Sequence, residues 1–131
     1  MATIFTKIIN GEIPCYKIAE DENYFAFLDI NPLTKGHTLV VPKIEDDYIF
    51  NLDEKTYAGL MLFAKRVAHA IEAAVPCKRV GVAVLGMEVP HVHVHLVPLN
   101  SEKDMIISNP KLKLEPAEMQ KIATDISARF K

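Results

Sequence analysis

Hydrophobic positions along the chain change period several times, and each change marks an element. Ile4, Phe5, Ile8 and Ile9 recur at helical spacing and stop at Asn10-Gly11, a turn pair, which predicts a short N-terminal helix. Residues 16–20 and 24–29 read as two strands joined by the hairpin-like turn Asp21-Glu22-Asn23. After the loop 31–36, residues 37–42 form a β-branched strand closed by a proline, so the three strands make an antiparallel meander. Residues 53–75 carry the clearest helical period: Leu60, Phe63, Val67, Ala70 and Ile71, followed by Ala74, make one stripe, with Lys65, Arg66 and Glu72 off it. Asp53 is placed to cap this helix and Pro76 to stop it. Residues 79–85 and 91–99 are two further strands, and Pro90 is tolerated at the start of the second. A polar loop from Asn100 through Pro110 leads to a final helix opened by Glu115-Pro116, with Met119, Ile122, Ala123, Ile126 and Phe130 on one face. Strands, helix, strands, helix is the order of an α+β domain with an antiparallel sheet.

Length and composition narrow the class. A chain of 131 residues suits one core, so residues 1–131 read as a single domain with a C-terminal extension from about residue 100. Half the residues are hydrophobic and 24% are charged, an ordinary folded composition. Fifteen basic and 17 acidic residues are mixed along the chain, for a net charge of −2; no basic block exists to hold a nucleic-acid polymer. One phosphate needs only a few local donors, so a mononucleotide remains open. Cys15 and Cys77 have no metal-type spacing and read as small hydrophobes or free thiols. No signal peptide or apolar span is evident, and a cytoplasmic location with no membrane partner is expected.

Three of the five histidines stand at 91, 93 and 95. Strand side chains alternate, so three imidazoles share one face about 6.5–7 Å apart, while Val92, Val94, Leu96 and Val97 anchor the other. A strand face that merely meets water carries Lys, Thr, Glu or Ser more often than three histidines. A His-x-His zinc site with Glu88 or His37 as partner is one alternative. Nucleophilic catalysis is another: neutral imidazole is a competent nucleophile near neutral pH, and attack on phosphorus gives a covalent phosphoramidate. The middle residue, His93, is then the nucleophile, and its neighbours would flank the phosphoryl group on both sides and hydrogen-bond its oxygens.

The run His91-Val92-His93-Val94-His95-Leu96-Val97 resembles the signature of the histidine triad (HIT) superfamily. Ile4–Ile9 with Glu12-Ile13-Pro14, and the blocks Phe25-Ala26-Phe27-Leu28-Asp29-Ile30-Asn31-Pro32 and Gly36-His37-Thr38-Leu39-Val40-Val41-Pro42-Lys43, are similar to that family in order and spacing. The resemblance implies about five antiparallel strands with one long helix packed on them, and a homodimer with a sheet continuous across the two-fold axis. It implies hydrolysis at the α-phosphate of a purine nucleoside phosphoramidate or adenylate through a nucleotidyl-histidine. A dinucleoside polyphosphate hydrolase and a weakly catalytic purine-nucleotide-binding module are the other readings. A third histidine, where the transferase branch has glutamine, argues against that branch. By the same resemblance His93 attacks, His95 contacts the phosphate, the His91 carbonyl orients the nucleophile's ring and His37 supports the triad. Asp29 would hold the ribose hydroxyls, and Ile30, Phe27, Phe5 and Ile8 would wall the purine. Backbone groups from Gly86 through Glu88 to Val89 would lie at the phosphate. No cofactor and no metal are expected, because Thr3 and Thr6 stand where zinc-binding relatives carry cysteines. Relatives carry glutamine where this chain has Met87, and methionine donates no hydrogen bond.

Overall fold

The computed structural model describes residues 2–131. Helix α1 (Ile4–Ile9) is capped by Thr3, whose side chain accepts from the Thr6 N–H, and a positive φ at Gly11 turns the chain away from its end. Strands β1 (Lys17–Glu20), β2 (Tyr24–Leu28) and β3 (Thr38–Pro42) form the expected meander. Helix α2 (Glu54–Ala74) then crosses to β4 (Arg79–Ala83), which hairpins into β5 (Val94–Leu99). Helix α3 (Pro116–Ser127) closes the chain, with Pro116 in its first turn and Glu115 before it. The sheet runs β1-β2-β3-β5-β4 and every pairing is antiparallel, so the α+β architecture is as the periodicity required.

Both faces of the sheet are covered, which is why β2 and β3 are buried at every position instead of alternating. On one face Ala26, Leu28, Val40, Val94 and Leu96 pack under α2 and α3 through Leu60, Phe63, Val67, Ile71, Met119, Ile122 and Ile126. On the other, Phe25, Phe27, Leu39 and Val41 gather around Phe5 of α1. The second face carries the histidines. Val97, expected on the first face, is fully buried, but alternation puts it on the histidine side.

Several boundaries differ from the sequence reading. The strand predicted over 91–99 begins only at Val94, and that predicted over 79–85 ends at Ala83. In the β3–β5 register Pro42 falls opposite Val92, but proline has no N–H to give, its carbonyl is taken by the His91 ring, and the Val92 N–H bonds the Asp46 carbonyl (2.6 Å) instead. Short 3-10 turns at Ile49–Asn51 and Glu102–Met105 replace expected loop; the second is held by a reciprocal Ser101–Asp104 cap.

Candidate active site

His91, His93 and His95 do share a sheet face, but their surroundings separate them. His91 is fully buried: its Nε2–H donates to the Pro42 carbonyl and its Nδ1 accepts from Thr3 Oγ1, both at 2.7 Å. With both nitrogens engaged and the ring under α1, it cannot flank a phosphate, contrary to the expectation for both outer histidines. Its contribution is the backbone carbonyl, which accepts from His93 Nδ1 at 2.7 Å. That bond places the His93 proton on Nδ1 and leaves the Nε2 lone pair with no protein partner among the described residues. Phe5 packs edge-on against His93, ring centres 5.0 Å apart, and fixes the ring plane.

A second chain of hydrogen bonds sets His95. The Leu33 N–H donates to His37 Nδ1 at 3.0 Å, so His37 carries its proton on Nε2 and donates to His95 Nδ1, again at 3.0 Å. His95 is thereby left with an Nε2–H for the cleft. Burial holds the His37 pKa down at about 3 and the His95 pKa at about 4, with neighbouring histidines adding to the effect, so both rings are neutral at physiological pH. Burial also lowers the His91 pKa and raises that of Asp29. The site is therefore a preset pattern of tautomers: one lone pair at His93, one donor at His95.

These rings sit where two lobes of one cleft meet, of about 240 and 250 Å³, with Asp29, Asn31, Glu88, His93 and His95 common to both. Together they reach the ~300–1,000 Å³ of small-ligand sites. The apolar lobe is walled by Phe5, Ile8, Phe27, Ile30 and Val89, and Gly86 and His37 line the polar lobe. Asp29 accepts from the Asn31 N–H (2.8 Å) and stands 3.6 Å from His37 Nε2. Of the residues named from sequence, only the His91 side chain lies outside the cleft. Sequence reasoning assigned no site role to Ile13, Pro14, Cys15, Asn31, Ile107 and Lys111, which also line its walls. Isolated apolar or polar residues in loops carry no periodic signal that would have found them. It also missed the hydroxyl relay at Thr3, which anchors α1 to His91, while Thr6 Oγ1 donates to Glu45 (2.8 Å).

Asp29, His37 and His95 bring three donor atoms within 4.8 Å of one another, which a divalent ion could use. His37 is bonded at both nitrogens, so an ion there would have to break the link that sets the His95 tautomer. Among the described residues no helix is long and apolar enough to cross a membrane.

Comparison with known proteins gives the family. The family description that matches, over residues 10–102, is the HIT domain. An adenosine 5'-monophosphoramidase of Schizosaccharomyces pombe is 35% identical over the full length of both chains. An uncharacterized HIT-like protein of Borreliella burgdorferi is 36% identical over 95% of each. Among solved structures, a Hit-like protein involved in cell-cycle regulation from Bartonella henselae superposes with a TM-score of 0.85 at 28% identity, covering 97% of this chain and 95% of that one.

Proposed function

The chain belongs to the HIT domain family, and on that premise we propose that it is a nucleotide hydrolase cleaving at the α-phosphate, acting on a purine nucleoside phosphoramidate or adenylate. The observation that carries this reading is the Nε2 lone pair of His93, exposed to the cleft because Nδ1–H is tied to the His91 carbonyl. In-line attack by Nε2 on phosphorus forms the N–P bond as the leaving group departs with its bonding pair, an amine taking up a proton from solvent as it leaves. The imidazolium that results keeps its Nδ1–H on a carbonyl that stabilises positive charge. His95 Nε2–H donates to a phosphoryl oxygen as charge builds there. Water then attacks phosphorus, the P–N pair returns to His93, and the mononucleotide is released. The base occupies the apolar lobe between Phe5, Phe27 and Ile30, and the Asp29 carboxylate accepts from the ribose hydroxyls. The similarity to a relative named adenosine 5'-monophosphoramidase supports an adenylate with an amine leaving group as one substrate.

His93→Ala and His93→Gly are expected to abolish turnover of adenosine 5'-phosphoramidate, with nucleotide affinity retained within severalfold. Mass spectrometry of the quenched wild type should find the nucleotide on His93. Full activity in either variant would overturn the assignment.

The protein also acts as a homodimer in this proposal. The edge of β4, which among the described residues pairs only with β5 and exposes Val82, supports a sheet continued across a two-fold axis.

A further inference from the structure

The leaving-group end of the cleft carries a charge that attack by His93 does not need. With the base in the apolar lobe and His93 at the junction, the leaving group points into the polar lobe. Asp29 and Glu88 belong to both lobes; the formal charge found in the polar lobe alone is Lys111. Lys111 lies beyond residues 10–102, on the segment that returns from β5 over the site. The Leu112 N–H bonds the Pro32 carbonyl (2.9 Å) and pins that segment beside Asp29 and Asn31. The Lys111 ammonium donates to the carbonyls of Ile107 and Asn109, the latter at 2.9 Å. No carboxylate lies within 4.0 Å of it among the described residues, whereas Lys17, Lys35, Lys43 and Lys121 are all ion-paired. Of its three N–H donors two are used by the loop. One N–H and the whole charge remain, held in place by backbone. The field of Lys111 is felt in the site: it adds to the lowering of the His37 pKa and opposes the rise at Asp29.

We propose that Lys111 is a specificity residue that makes the polar lobe a subsite for an anionic leaving group, an oxyanion such as sulfate or phosphate bonded to the α-phosphate. The proposal rests on the reading that His93 attacks that phosphate, and narrows its substrate class. As the Nε2–P bond forms, the P–O bond to the leaving group breaks and its electron pair stays on the departing oxygen. Sulfate or phosphate leaves without needing a proton, and the charge growing on that oxygen meets the Lys111 ammonium. Water supplies the oxygen that converts nucleotidyl-His93 to the mononucleotide, and its protons pass to solvent and product. An amine leaving group, by contrast, must take up a proton and gains nothing from a nearby ammonium. Glu88 lines both lobes and has no ion-pair partner among the described residues, so Lys111 offsets its repulsion at the end where the second anion sits.

The test compares wild type, Lys111→Met and Lys111→Arg on two adenylates that differ only in leaving group: adenosine 5'-phosphosulfate and adenosine 5'-phosphoramidate. In Lys111→Met the ratio of kcat/KM for phosphosulfate over phosphoramidate should fall about tenfold, the size of one charge-assisted hydrogen bond. Lys111→Arg should restore most of it. A ratio unchanged within twofold in Lys111→Met overturns the proposal. A binding arm needs no turnover: calorimetry with ADP and AMP should show an ADP preference in wild type that collapses in Lys111→Met. Equal preferences in the two proteins overturn it as well. Loss of the His93 reading would show separately, as wild type that turns over neither adenylate and carries no nucleotide on His93. ADP and phosphosulfate together distinguish a general oxyanion subsite from one that takes sulfate alone.

Discussion

At His37 and His95 the fold holds two imidazoles neutral by burying them in a hydrogen-bonded chain that begins at the Leu33 N–H. Their folded pKa values, about 3 and about 4, lie below the ordinary 6.5. Between pH 6.5 and about 4 the unfolded chain therefore binds protons that the folded chain refuses, and stability must fall as pH falls through that window. Each ring contributes at most about 1.4 kcal/mol per pH unit there. Asp29, raised by burial, works in the opposite sense at the acid end, in the carboxylate range. Denaturant unfolding of wild type and His95→Gln at pH 7, 6, 5 and 4.5 should show a shallower pH slope for the variant. Identical slopes would mean that His95 is not held neutral by the fold. The sequence placed His95 beside the phosphate, but the identity of the ring proton depends on His37, 58 residues away, and no local pattern encodes that.

Among the elements, α2 was the most legible, because its apolar stripe from Leu60 to Ala74 persists over about four turns and packs on the sheet. The element boundaries that failed are those where backbone groups find other partners: Pro42, opposite Val92, has no N–H and its carbonyl takes the His91 ring, so the Val92 N–H turns to the Asp46 carbonyl. One helix position would not be understood from propensity. Gly59 lies in α2 against Tyr24, whose hydroxyl donates to the Thr56 carbonyl (3.0 Å), and a Cβ at 59 would stand 2.0 Å from that hydroxyl. Alanine in place of a helical glycine gains about 1 kcal/mol, but forcing a buried ring aside costs about 1–3 kcal/mol. Gly59→Ala should therefore lower stability by about 1 kcal/mol, read as a lower urea midpoint at constant slope. A raised midpoint would show that Tyr24 moves freely.

For the whole molecule, the free edge of β4 is where a second copy would add to the sheet. Val82, 53% exposed near the middle of that strand, would lie close to its own symmetry mate in such a pairing. Val82→Glu would bring two like charges face to face there. Light scattering should find wild type at twice the chain mass and Val82→Glu shifted toward monomer; a wild-type monomer would sink the proposed dimer. What the sequence determined by itself is what local periodicity can carry: the α+β class, the order of elements, the meander, the long helix and three histidines on one face. Those follow from the alternation of side chains in strands and the 3.6-residue repeat of helices, which need no knowledge of distant partners. What the tertiary structure decided is which histidine does what. His91 is sealed by Thr3 and Pro42, His93 is left one lone pair and His95 one donor, and Lys111 is brought to the cleft from beyond the last strand. A proton's position and a charge's reach are set by atoms adjacent in space and far apart in sequence, and only the folded chain brings them together.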